Sequence, residues 1–368
     1  MLLILLLLLT FFVSFLIQIL VIRVFEKHPF CIDDASTNKP QRFHHVSTPR
    51  VGGLGIFFAF ITGFLLSNLL TVAGNDFINR STLILFLLPA FSAGLYEDIK
   101  SNIGPALRVI IMAVSPALVA IFLDSNLNPS INFTTNLSVT DIGFTKLPLW
   151  LGFPFTIFSV VGVINAINII DGFNGLASGV SIIALISFAI VSFMIEDQLT
   201  LNLCIILISA IAGFLVWNFP KGKIFLGDGG AYLIGFLLAV ISILLVKRNP
   251  QISPWYPVTV LAYPIFEVFF SIYRKRFKRH GSAFKPDRLH LHMLIYKRIT
   301  RNNPKTSFQI WLFFLFFNVA AFLFRSNTFI LICIFFSFSS IYVYLYRRRI
   351  KFKVSVLVHL DNRAKRSI

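Results

Sequence analysis

Apolar and polar positions in this chain alternate in long blocks. Residues 1–22 carry no charged side chain, and Arg23 follows them. Further apolar runs occupy 51–73, 82–96, 104–123, 147–168, 174–195, 199–217, 229–246, 254–273, 307–325 and 327–346. A helix crosses a bilayer with about 20 apolar residues, so the pattern predicts an all-α polytopic integral membrane protein with about eleven transmembrane helices. The first run is too long for a signal-peptide core and lacks positive residues ahead of it, so it is expected to be the first of these helices. Residues 1–346 form the expected transmembrane domain and 347–368 a basic tail. Between the fourth and fifth runs, INFTTNLSVTDIGF alternates β-branched and polar residues and predicts a small hairpin within 124–146. The Phe-rich runs near the end read as lipid-facing bulk.

Composition agrees with this reading. Of 368 residues, 57% are apolar and 13% charged, with mean hydropathy +0.82. These values exclude an ordinary soluble globule. Cys31, Cys204 and Cys333 are far apart and have neither disulfide-framework nor metal-ligand spacing. The net charge of +18 would suggest nucleic acid in a soluble protein, but in a membrane protein its distribution decides. With the loops alternated across the membrane, the Arg23 side carries 27 Lys and Arg and the opposite side five, while Arg108 lies inside a run. This asymmetry places the Arg23 side in the cytoplasm, the N-terminus outside and the C-terminus inside. The basic tail then fits an anionic lipid surface. No nucleic-acid partner is expected, because the most basic loop is tethered to the membrane and lacks an aromatic platform.

The residues that carry chemistry gather at the cytoplasmic ends of the runs. In Val163–Gly179, Asn165, Asn168 and Asp171 recur every third residue on one helix face, and Gly172 and Gly175 break the helix after them. Such polar residues at membrane depth face a site or serve as interhelical glue. A carboxylate at a helix C-terminus opposes the macrodipole, and a nearby cation removes that penalty. Glu97 and Asp98 stand together at the end of the third run, where they suit a divalent cation, a shared proton or simply a solvated helix end. Asp228 lies between glycines at the start of another run, either as a ligand or as an N-cap. The loop KPQRFHHVSTPRVGGLG brings His44, Arg50, Gly52 and Gly53, and the long basic loop ends in Asp287, His290 and His292. The two-residue histidine spacing points the rings to different faces of a helix but allows one target on an extended loop. Oxygen-only acidic ligands favour Mg²⁺ or Mn²⁺, and the surrounding Arg, Lys and His suit phosphate. Together they point to phosphoryl-type transfer at a membrane face. The rival reading, a transporter or lipid-linked sugar flippase, calls for midplane polar residues and inverted repeats, whereas these carboxylates cluster at one face.

Taken in order, these motifs resemble the polyprenyl-phosphate N-acetylhexosamine-1-phosphate transferases, the superfamily that includes phospho-N-acetylmuramoyl-pentapeptide transferase. The resemblance runs from about Lys39 to His292. It rests on the N-x-x-N-x-x-D-G core at Asn165–Gly172 and on G-D-x-G-[SA] around Asp228. Pro49, Arg50, Gly52 and Gly53 match the family's first loop, and Pro286, Asp287, His290 and His292 its late P-D-x-x-H-x-H motif. The resemblance implies transfer of a sugar-1-phosphate, expected to be GlcNAc-1-phosphate, from a UDP-sugar to undecaprenyl phosphate in the inner membrane. UMP is released, the metal is Mg²⁺ or Mn²⁺, and the product opens a glycan such as O-antigen. It assigns catalysis to Glu97, Asp98 and Asp171, metal binding to Asp171 and Asp228, and substrate contacts to His44, Arg50, Asn165, Asn168, Asn174, Asp287, His290 and His292. A homodimer is compatible with it. Four positions depart from the family pattern: Glu97 and Asn174 stand where Asp is common, and Phe284 and Met293 where His is common. HLHM lacks the His triplet of the muramoyl-peptide branch, which implies a simple UDP-N-acetylhexosamine donor.

Overall fold

The computed structural model describes residues 2–25, 32–33, 48–71, 81–100, 104–122, 141–143, 146–278 and 289–364. Helices α1 (Leu2–Phe25), α2 (Gly53–Thr71), α3 (Leu83–Lys100) and α4 (Pro105–Phe122) come first. A minimal antiparallel pair, β1 (Ile32–Asp33) and β2 (Thr48–Pro49), lies between α1 and α2. Then come α5 (Leu149–Ile170), α6 (Leu176–Met194), α7 (Gln198–Asn218), α8 (Gly227–Arg248), α9 (Trp255–Val260) and α10 (Ala262–Tyr273). Short α11 (Leu291–Ile295) precedes α12 (Asn303–Leu323) and α13 (Thr328–Ala364). Eight of these helices are long and apolar enough to cross a membrane. The all-helical, polytopic expectation therefore holds. In the region expected to form a hairpin, Asp141 and Lys146 make an isolated antiparallel bridge, while 123–140 and 144–145 lie outside the described residues. The backbone of α13 carries the helix through the basic tail to Ala364.

Helix α8 is the centre of the bundle. It is almost wholly buried, and it packs on α2, α3, α4, α5, α6 and α7. A helix apolar on every side belongs inside such a bundle. Small residues bring its N-terminal end close to its neighbours. A Cβ on Gly94 of α3 would lie 2.5 Å from the backbone of Asp228. A Cβ on Gly53 of α2 would collide with the backbone of Gly230. Gly227 has φ +75°, and a side chain there would strike the carbonyl of Arg50. Contacts of this kind let helix backbones approach where lipid offers no hydrophobic drive.

The run at 254–273 is two helices rather than the single one expected. Pro264 has no N–H to donate to the carbonyl of Val260 four residues back, so the helix breaks at Leu261. Asn318 Nδ2 of α12 donates to that carbonyl at 3.3 Å. Pro89 likewise removes a donor from α3, which continues through it, and Ser115 Oγ accepts the neighbouring Ala90 N–H at 2.9 Å. Freed backbone groups at membrane depth need such partners.

Candidate active site

The site forms where α3, α4, α8 and the turn after α5 meet at one end of the bundle. Asp98, in the last turn of α3, is 3% exposed. Its two oxygens accept the backbone N–H of Asp228 at 2.8 Å and of Gly229 at 2.9 Å. The first N–H groups of a helix have no partner inside it, so Asp98 acts as the cap of α8 from another helix. Asp228 is therefore not the N-cap. Leu226 holds that position and Asp228 is the second helical residue, which frees its carboxylate to face the site. Arg50 Nη2 lies 3.4 Å from Asp98 Oδ1 and 3.7 Å from Asp228 Oδ1. The segment bearing Arg50 is fixed beside the start of α8 by backbone bonds Phe225 N to Pro49 O, Gly52 N to Phe225 O and Gly53 N to Leu226 O.

Arg108, which in sequence lies inside an apolar run, belongs to this cluster. Its Nη2 is 2.6 Å from Glu97 Oε1 and its Nη1 is 3.4 Å from Asp228 Oδ2. A lone arginine within an apolar helix marks a functional position by default, and that signal would have found it.

Asp171 caps the C-terminal end of α5, with its N–H on Asn168 O at 3.3 Å. Its carboxylate makes no hydrogen bond or close ion pair with a described residue. It is only partly covered at its surface, yet surrounding protein removes most of its solvation. Burial and then the charge of Asp228 push it up to about 7, against the opposing pull of Arg50. The chain turns at Gly175, φ +73°, into α6. Asn174 ties this turn to its surroundings. Its Nδ2 donates to Pro220 O at 2.9 Å, its N–H to Asn303 Oδ1 at 2.8 Å, and its carbonyl accepts from Ser307 Oγ at 2.7 Å. Asn165 Nδ2 donates to Val161 O of its own helix at 2.8 Å, and Asn168 is half-buried.

His290 and His292 are both buried, with parallel rings 5.5 Å apart. His290 has extended backbone ahead of α11 and His292 lies within it, so the loop-to-helix change brings together rings that a continuous helix would separate. Burial pushes the His292 imidazole down to about 3, so it is neutral. Its Nδ1 meets Tyr263 Oη at 3.1 Å, and its buried Nε2 has no hydrogen-bond partner among the described residues. A Cβ at Gly172 would lie 3.2 Å from that Nε2, so the glycine admits the ring beside the Asp171 turn. His44 and Asp287 lie outside the described residues.

Among the described residues no three His, Cys, Asp or Glu converge as a complete metal cage. Mg²⁺ does not require one, because it is commonly held by one or two carboxylates together with substrate phosphates and water. Glu97, Asp98, Asp171 and Asp228 outnumber the two guanidiniums of Arg50 and Arg108. The donors are all oxygen, and the Asp171 carboxylate, raised first by burial and then by the charge of Asp228, makes no hydrogen bond to a described residue. This donor set fits a hard divalent cation.

Residues 81–246 match the family described as Glycosyl transferase family 4, a span that holds Glu97, Asp98, Arg108, the Asp171 turn and Asp228. The chain is 28% identical over 319 residues to a probable undecaprenyl-phosphate N-acetylglucosaminyl 1-phosphate transferase of Bacillus subtilis (strain 168), covering 86% of this chain and 85% of that one. It is 30% identical over 255 residues to the phospho-N-acetylmuramoyl-pentapeptide-transferase of Staphylococcus carnosus, covering 67% and 76%. The corresponding Staphylococcus haemolyticus enzyme is 32% identical over 215 residues, covering 56% and 64%.

Proposed function

Because this chain belongs to the polyprenyl-phosphate N-acetylhexosamine-1-phosphate transferase family, we propose that it transfers GlcNAc-1-phosphate from UDP-GlcNAc to undecaprenyl phosphate. A phosphate oxygen of the lipid attacks the β-phosphorus of the sugar nucleotide. The bond from that phosphorus to the bridging oxygen breaks, and UMP leaves with the oxygen. A phosphate monoester is largely ionised near neutrality, its second pKa being about 6, so no strong general base is needed. The observation that carries this reading is the meeting of Asp98, Asp171 and Asp228 with Arg50 and Arg108 at one end of the bundle.

Arg50 and Arg108 supply planar donors for diphosphate oxygens. Asp171 and Asp228 would hold Mg²⁺ or Mn²⁺, which when bound offsets the charge that builds on the leaving phosphate. Asp98 keeps the start of α8 in place, which sets the direction of the Asp228 carboxylate. His292 borders the Asp171 turn with His290 stacked on it, and both are assigned to the sugar or its phosphate.

A simple N-acetylhexosamine donor, rather than a muramoyl-peptide one, is supported by His290-Leu291-His292-Met293 and by similarity to the Bacillus protein along 86% of the chain. The proposed topology has eleven spans, with α9 and α10 together forming one, the N-terminus outside and the site cytoplasmic. The product would begin a lipid-linked envelope glycan such as O-antigen.

Purified protein with undecaprenyl phosphate, Mg²⁺ and a panel of UDP-sugars tests this reading. UMP should appear with UDP-GlcNAc or a close N-acetylhexosamine relative. Release only with UDP-muramoyl-pentapeptide would overturn the donor, and no release with any member of the panel would overturn the reaction.

A further inference from the structure

Beneath the two histidines lies a carboxylate outside the family motifs. Glu267 of α10 is fully buried. Its Oε1 is 2.8 Å from His290 Nδ1. Its Oε2 accepts the Tyr342 hydroxyl at 2.7 Å and the Leu291 N–H at 3.4 Å. Tyr342 comes from α13, one of the helices whose sequence reads as lipid-facing bulk, and it is itself fully buried. Arg274 adds a second brace: its Nη1 donates to Leu289 O at 2.8 Å and reaches Tyr346 Oη at 3.3 Å.

These contacts decide the histidine tautomer. The Tyr342 and Leu291 bonds both fall on Oε2, and an imidazole is a stronger base than a carboxylate, so the hydrogen shared with Oε1 sits on His290 Nδ1 and Oε1 accepts it. The ring then acts through Nε2. A carboxylate behind a functional imidazole commonly fixes both tautomer and ring plane. His292 stacks on His290, is anchored by Tyr263, and turns its unpartnered Nε2 toward Gly172 beside Asp171. Among the described residues Glu267 of α10 and His292 of α11 meet His290, while Tyr342 of α13 bonds Glu267, Tyr263 of α10 bonds His292, and the Arg274 guanidinium holds the neighbouring Leu289 carbonyl.

We propose that Glu267 is a positioning residue for the transfer reaction: together with Tyr342 it locks His290 with hydrogen on Nδ1, so that the paired imidazoles meet the phosphosugar in one fixed orientation. The catalytic part of this inference rests on the transferase reading above.

The test combines tautomer and turnover in the full-length protein. ¹⁵N-histidine NMR, with the His290 signal identified by its loss in His290→Gln, should show hydrogen on Nδ1 in the wild type. In Glu267→Gln the amide can go on accepting the Leu291 N–H beside the Tyr342 hydroxyl only by turning its NH₂ toward His290, so the hydrogen should move to Nε2. UMP release in that variant should fall about 10- to 100-fold in kcat, the usual cost of losing such an outer partner, with KM for the sugar nucleotide within about threefold. Adding Glu267→Gln to His290→Gln should cost less than about twofold more, because residues acting through one another are not additive. Tyr342→Phe removes a single hydroxyl and keeps the ring. It should lower kcat several-fold, again only when His290 is present, and it serves as the test if Glu267→Gln fails to fold.

An unchanged His290 tautomer in Glu267→Gln would overturn the proposal. So would an equal rate penalty with and without His290. If the wild type releases no UMP from any sugar nucleotide, the reaction reading fails, while the NMR arm still decides what Glu267 does to His290.

Discussion

The carboxylate of Asp98 accepts the backbone N–H of Asp228 at 2.8 Å, across 130 residues of sequence. One acidic residue thus holds the helix end that presents another. Asp98→Asn should cost stability as well as rate, because an amide cannot accept from both N–H groups of α8. The expected loss is about 1–2 kcal/mol, as for other N-caps. Asp228→Asn should leave the melt nearly unchanged and lower turnover about 100- to 1,000-fold, as when one transition-state-stabilising group is removed. Thermal melts beside UMP release separate the two, and equal melts for both variants would contradict the capping role.

Asp171 should give a stability that depends on pH and on Mg²⁺. Its value rises from the ordinary 3.8 to about 7 in the folded protein. Between these values the unfolded chain has released the proton that the folded chain still holds, so stability falls as pH climbs through the window. Metal-free Asp171→Asn should therefore match the wild type near the bottom of that window and melt higher at its top. Mg²⁺ should stabilise the wild type above pH 7 and leave the variant largely unaffected. Melting curves across pH, with and without Mg²⁺, read both effects, and parallel curves would remove Asp171 from the metal assignment.

Arg108 joins Glu97 and Asp228 through separate nitrogens, so charge and geometry can be tested apart. Arg108→Lys keeps the charge and loses the fork. It should retain part of the activity, whereas Arg108→Met should lose about 100-fold or more in kcat/KM. Steady-state UMP release at varied sugar nucleotide measures this. Equal rates for the two variants would mean that the fork, not the charge, matters.

Asp141 and Lys221 are exposed and lie on opposite sides in the proposed topology. In a background without native cysteines, Asp141→Cys should react with an impermeant thiol reagent in intact cells. Lys221→Cys should react only after permeabilisation. The reverse order would place the carboxylate cluster outside and contradict a cytoplasmic sugar-nucleotide site.

Block hydropathy alone determined the helical membrane class, because crossing a bilayer demands long uninterrupted apolar segments whatever the packing. The acidic residues at helix ends were legible for a related reason. A carboxylate beside apolar runs is costly enough to stand out, as Asp171 and Asp228 do. What those side chains do was settled only by packing. Nothing near Asp98 in sequence predicts that it caps α8, since its partners Asp228 and Gly229 are 130 and 131 residues away. In sequence Arg108 is a charge inside an apolar run and Glu267 belongs to no motif; only neighbouring helices bring Glu97 and Asp228 to the first and His290 and Tyr342 to the second. The break at Leu261 likewise needed Asn318 from α12 to satisfy the carbonyl that Pro264 leaves. Hydrophobic periodicity reports what a segment does with lipid or core. Hydrogen-bond partners between helices depend on which small residues let the backbones meet, and here Gly53, Gly94 and Gly227 decide that at the start of α8.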